Sequence, residues 1–159
     1  MASRASAMPA RETPATRAAR SAGVDFTVHE YRHDARAESY ALEAAEALGL
    51  DPERVFKTLV VAVGDRLVVC IVPAAEQLDL RSLGKKVQLA PTARAESVTG
   101  YVAGGISPLG QRKRLDTLVD ETALGHATVF VSAGRRGLEI ELAPADLVAL
   151  TAAEVRRLT

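Results

Sequence analysis

The sequence predicts one α+β domain, a mixed and mostly antiparallel sheet surrounded by helices. Three observations predict it. At 159 residues the chain is long enough for one real core and short for two. Residues 54–73, RVFKTLVVAVGDRLVVCIVP, read as two adjacent strands joined at Gly64-Asp65. Capped helical segments are interspersed with these and later strand candidates, with no internal repeat and no low-complexity linker to divide the chain.

The first residues, MASRASAMPARET, contain Arg and Ser but no continuous apolar run, so they do not read as a secretory signal. Residues 1–12 are expected to be a flexible tail and 13–159 the domain. Thr13-Pro14 opens a helix through ATRAARSA, with Thr as cap, Pro in the first turn and Gly23 at the end. VDFTVHEY alternates and predicts a strand ending near Tyr31. Ser39 can cap a helix through YALEAAEALGL that stops at Gly49, and Asp51-Pro52 starts another turn before the strand pair. LRSLGKK and PTARAESV read as short surface helical pieces. GYVAGGISPLG holds four glycines and a proline, too many for the interior of an element, and must be a loop. TLVDE, ATVFVSAG and GLEIEL are strand candidates, the last two flanking the turn GRRG. Pro144 opens a closing helix, PADLVALT.

Composition narrows the function. Aromatics are only 4% with no Trp, which argues against a stacking platform for single strands. The formal net charge is zero, yet the charges are segregated. Between residues 81 and 114 there are seven Lys/Arg against Glu96 alone, and between residues 34 and 53 six acids against Arg36 alone. A neutral protein arranged this way can offer a positive surface to a polyanion, or simply two solvated faces. The single cysteine, Cys70, excludes an internal disulfide and a cysteine metal cage, and in VVCIV it reads as a buried structural thiol. No apolar segment nears the ~20 residues of a membrane span, and a cytoplasmic protein is expected.

Common catalytic patterns are missing: no HExxH, GxSxG, P-loop or CxxC. His29, His33 and His126 have no metal-ligand spacing and read as surface or capping residues. A site here must be made of backbone groups, hydroxyls and one or two charges. Lys57 is one candidate. Strand periodicity puts it on the face of Val55, Leu59, Val61 and Val63, and a lysine among aliphatics either snorkels to water at a strand end or points into a pocket that uses a fixed cation. In GGISP, Gly104 and Gly105 let the main chain approach a ligand, and Pro108 stiffens the exit. Such N–H groups can hold a phosphate or a polarised carbonyl, although many such loops are plain turns. Ser132 ends a strand candidate. In LEIEL, Leu138, Ile140 and Leu142 share one face and Glu139 and Glu141 the other, a pattern that usually means solvent exposure.

Several segments together, RVFKTLVV, AEQLDL, SVTGYVAGGISPLGQRKRL and VFVSAGRRGLEIEL, resemble the YbaK family of aminoacyl-tRNA deacylases, relatives of the editing domain inserted in bacterial prolyl-tRNA synthetase. The similarity runs from about Thr13 to the last helix. It implies a catalytic lysine at Lys57 and a Gly-x-x-x-Pro loop led by catalytic Gly104, with Gly105, Ile106, Ser107 and Pro108 binding substrate. It also implies a substrate-binding tyrosine at Tyr31, and catalytic Ser132 and Glu139. The position of Glu139 is usually aspartate in relatives; the extra methylene moves the carboxylate by about 1.5 Å, enough to matter for positioning. The resemblance further implies removal of cysteine from mischarged Cys-tRNA(Pro), with Cys-tRNA(Cys) as a related substrate. Cleavage would be of hydrolase or lyase type, without protein nucleophile, cofactor or metal. The acceptor end of the tRNA would be the ligand and prolyl-tRNA synthetase a partner, away from membranes. The alternatives are an Ala-tRNA(Pro) deacylase and a non-catalytic module binding tRNA or synthetase through the basic residues 81–114.

Overall fold

The computed structural model describes residues 11–33 and 39–159. Residues 1–10 of the expected tail lie outside them; of its remainder, Glu12 pairs with Arg20 at 2.6 Å and Arg11 with Glu30 at 3.8 Å. The described elements are α1 (Pro14–Ala22), β1 (Phe26–Glu30), α2 (Tyr40–Leu48), β2 (Phe56–Val63), β3 (Arg66–Pro73), β4 (Val87–Leu89), α3 (Thr92–Thr99), β5 (Asp116–Asp120), β6 (Val129–Ser132), β7 (Leu138–Leu142), α4 (Pro144–Thr151) and β8 (Glu154–Arg156), with short 3-10 turns between some of them. α1 starts where its cap residues dictate: Thr13 and Thr16 bond reciprocally, and Gly23 ends the helix. α2 is capped by Ser39 and ended by Gly49.

The sheet comes in two parts. β1-β7-β6 is antiparallel, and β4-β2-β3-β5-β8 is mixed, with β3–β5 and β5–β8 parallel. A single parallel bridge, Val55 to Phe130, links them. β3 explains why its run is uniformly apolar. Val69 and Ile71 face the main core with Phe56, Val119 and Ile140, while Val68, Cys70 and Val72 face a second cluster with Val61, Leu118 and Leu158. A strand buried on both faces carries no polar alternation. The parallel step from β3 to β5 needs a long crossover, and residues 74–115, including α3 and the glycine-rich loop, supply it.

Two strands differ from expectation. β4 arises between the two segments read as helical, where no element was expected, because VQL pairs with residues 61–63 of β2. β8 follows the expected last helix and lies parallel to β5, with Leu158 N–H donating to buried Asp120 Oδ1 at 2.7 Å. Both are made by pairing partners distant in sequence, not by local preference.

Candidate active site

The two parts of the sheet diverge after the Val55–Phe130 bridge, and the gap is the site. β3 takes one edge of β2 in full, and on the edge facing the gap β4 covers β2 only along residues 61–63, with Ala90 N–H donating to Val60 C=O at 2.9 Å. Ladder groups alternate sides along a strand, so the N–H and C=O of Thr58 face the same edge as those of Val60, where β4 no longer reaches. The result is a cavity of about 340 Å³ lined by Phe56, Lys57, Thr58 and Leu59 from this open stretch, Tyr31, Ser132 and Glu139 from the other sheet, Ser39, Tyr40 and Ala41 from the start of α2, and Ala103, Gly104 and Ile106 from the loop.

Lys57, for which the sequence left open a snorkelling strand-end lysine or a pocket cation, is half-buried in this wall, and burial lowers its pKa while Glu76 opposes the shift. Across the cavity, Glu139 pairs in register with His29 on β1 and Ser132 on β6, so these three side chains share a sheet face. Around Glu139 that face is not solvated. α2 covers it through Ala41 and Ala45 against Phe130, and Glu139 is only 5% exposed. The solvent-exposure reading of Glu139 is therefore corrected: burial pushes its carboxyl up to about 8. Tyr31 is raised as well, first by burial. Ser132 Oγ accepts the Gly134 N–H at 3.1 Å.

The glycine-rich loop is held rather than loose. Tyr101 OH donates to Leu109 C=O at 2.6 Å and closes it, Ala103 N–H donates to Glu96 Oε2 at 2.8 Å, and Gln111 Nε2 to Ser107 C=O at 3.0 Å. Gly104 has φ +93°, and a Cβ there would meet the Tyr40 ring at 3.4 Å. Gly105 has another job. Its N–H is taken by Val102 C=O, and a Cβ would sit 2.7 Å from Arg135 Cα, so this glycine lets the loop press against the β6–β7 turn. Three of the expected substrate-binding residues are thus outside the cavity wall. Gly105 is packed behind it, Ser107 is fully buried with its Oγ accepting from Leu109 N–H, and Pro108 borders a different hollow. Among the described residues no three His, Cys, Asp or Glu side chains gather as a metal site would require, and no helix is long and apolar enough to cross a membrane. The histidines are spread out; His29 is bonded to Glu141 at 2.8 Å and tilted against Phe130.

Residues 36–150 match the family profile of the aminoacyl-tRNA editing domain. This chain belongs to that family. It is 40% identical over 126 residues to EbsC of Enterococcus faecalis, which carries the name of a Cys-tRNA(Pro)/Cys-tRNA(Cys) deacylase; the match spans 75% of this chain and 76% of EbsC. A solved structure described as a trans-editing enzyme for prolyl-tRNA synthetase is 26% identical with a TM-score of 0.77, over 93% of this chain and 98% of that one. The fold is also that of the hypothetical protein APE2540, 24% identical with a TM-score of 0.80 over 92% of this chain and 99% of that one.

In this editing domain several wall and support residues escape a sequence reading. Tyr40 looks like an ordinary first helical residue, yet its ring lies against Gly104 and carries the Arg136 guanidinium 4.5 Å from its centroid. Arg136 also pairs with Glu43 of α2 at 3.1 Å, which fastens the helix to the GRRG turn. Thr58 passes for strand filler, but its buried hydroxyl has no hydrogen-bond partner among the described residues. A Thr next to the lysine, in a run of Val and Leu, was the available signal. The joint of the two sheets is tied by Arg54, which donates to Thr128 Oγ1 at 2.6 Å and lies 3.6 Å from Glu141.

Proposed function

We propose that this protein deacylates mischarged tRNA, removing cysteine from Cys-tRNA(Pro) and also acting on Cys-tRNA(Cys). The observation that carries the reading is the convergence of a half-buried lysine, a glycine-led loop and a buried carboxyl on one cavity of about 340 Å³, at the lower end of volumes that hold small ligands. An aminoacyl ester is already activated, so a protein need only hold it and stabilise developing negative charge. Lys57 would fix the terminal nucleotide or its phosphate. The Gly104 N–H would grip the carbonyl or the 3′ oxygen. Tyr31, Ser132 and Glu139 would shape the pocket around the aminoacyl group, and Ile106 would pack beside it, with Gly105, Ser107 and Pro108 holding the loop in shape from behind.

The nucleophile in this scheme belongs to the substrate. The cysteine sulfur attacks its own ester carbonyl, the bond from that carbon to the 3′ oxygen breaks, and the thiol proton ends on the 3′ hydroxyl of the freed tRNA. The cyclic thioester released then meets water. In the cytoplasm the protein would work beside prolyl-tRNA synthetase, which holds the tRNA and supplies the selectivity that a small pocket lacks. The test is release of free amino acid from proline tRNA charged with Cys, Ala or Pro. Rapid release of cysteine alone is expected. Preferential release of alanine would mean an alanine editor, and salt-sensitive tRNA binding with no release from any of the three would mean a non-catalytic module.

A further inference from the structure

A second concave surface lies at the far end of β2. Arg66, Leu83, Arg114 and Arg156 frame a groove of about 600 Å³ beside the β2–β3 turn. Arg114 also borders a neighbouring hollow of about 240 Å³ next to Pro108 and Gln111, with Leu115, Thr117 and Thr151 shared between the two walls. The Gly64 N–H donates to Lys86 C=O at 3.1 Å, which brings Lys85 and Lys86 to the same turn. Lys113 is anchored by its N–H to Val98 C=O at 3.0 Å. Lys85, Lys86, Lys113 and Arg114 are all exposed, and none has an acidic partner among the described residues. Among the described residues the acids here include Asp65 at the turn, Glu154 in the groove, Asp120 in register with Arg156, and Asp116, which is taken by Arg66 at 3.1 Å. Arg156 is held in place by donating to Ser82 C=O at 3.0 Å.

From Lys57 to Val63 β2 rises about 20 Å at ~3.3 Å per residue. A stacked DNA strand rises about 3.4 Å per nucleotide and an A-form RNA stem somewhat less, so the same span is roughly six to seven nucleotides. We propose that this groove receives the sugar-phosphate backbone of the substrate's acceptor arm, roughly six to seven nucleotides from the acylated end. The inference rests on the reading that the first cavity takes that end. Exposed lysines and arginines without aromatic neighbours suit phosphates rather than bases, so the contact would fix the arm's position without reading its sequence.

The test uses the full chain with Arg114→Glu, and separately the double variant Lys85→Ala/Lys86→Ala. Each is assayed on Cys-tRNA(Pro) and on the cysteinyl ester of adenosine, which lacks the arm. Expected is a rise in KM for the charged tRNA of about tenfold at low salt with kcat unchanged, no change on the adenosine ester, and a salt dependence of tRNA binding shallower by about one per cation removed. Unchanged KM and binding for tRNA in both variants would overturn the proposal, and so would equal slowing on both substrates. If the unaltered protein cleaves neither substrate, the deacylase reading fails by itself. Binding of uncharged tRNA then decides the groove: weakened binding in both variants supports it, and unweakened binding refutes it.

Discussion

Replacing Glu139 with Gln should stabilise the fold, and by more as the pH rises. The carboxyl is raised from 4.5 to about 8 by burial. A folded state that keeps a proton the unfolded chain has already lost becomes less stable with each pH unit between those two values. At 1.36 kcal/mol per unit, the penalty is on the order of 2 kcal/mol at pH 6 and 5 kcal/mol above pH 8, as an upper bound. That is a large part of the ~5–15 kcal/mol by which domains are usually stable. Glutamine keeps the shape and never ionises, so the penalty vanishes. Urea unfolding of both proteins from pH 5 to 9 measures it, and the difference between them cancels every group the two proteins share. The advantage of the variant should grow with pH and level off past pH 8. A difference flat across the range would refute the neutral buried carboxyl and the cover by α2 that produces it.

Other outcomes follow from the same geometry. Lys57→Ala should leave urea unfolding nearly unchanged, because the amine is only half-buried, while deacylation of Cys-tRNA(Pro) falls by about 10²–10³, the scale of losing one fixed charge-stabilising group; wild-type turnover would remove Lys57 from the reaction. Gly105→Ala forces a methyl to within 2.7 Å of Arg135 Cα and should destabilise by about 1–3 kcal/mol in chemical unfolding while lowering activity through displacement of Gly104. Arg54→Ala removes the tie to Thr128 and should lower stability by about 1 kcal/mol. Its kcat should drop while the KM for charged tRNA changes little, since Arg54 touches the frame and not the cavity.

The fold was legible wherever local chemistry decides it. Thr13, Ser39, Gly23 and Gly49 bound their helices as cap residues do, and the turn at Gly64-Asp65 separates β2 from β3. β4 and β8 were not legible, since three residues of VQL or EVR become a strand only when a distant partner offers an edge. The site divides the same way. Lys57 and the GGISP loop stand out because each breaks its surroundings. Glu139 is misleading because alternation says which face a residue takes, never what covers that face, and here α2 covers it. Tyr40 and Thr58 carry ordinary helix and strand residues into the wall through tertiary placement alone.

The divergence of the sheets also bears on what chemistry the cavity can host. It leaves Thr58 with a buried hydroxyl and no partner among the described residues, a state that costs about 1–3 kcal/mol unless a ligand satisfies it. It leaves the main chain of the same residue facing an uncovered edge, and it sets a protonatable but neutral carboxyl opposite a lysine. The free cavity therefore carries the Lys57 cation and unspent hydrogen-bonding capacity; of the described hydroxyls and thiols, Ser132 Oγ already accepts the Gly134 N–H, and Cys70 is buried in the second core with its thiol pushed up to about 11. Positive charge and open donors stabilise an anion as it forms, whatever atom attacked to make it. On the proposed reading this is sufficient, because a cysteinyl ester brings its own attacking sulfur, and a correctly charged prolyl ester, having none, would sit in the same cavity and not react.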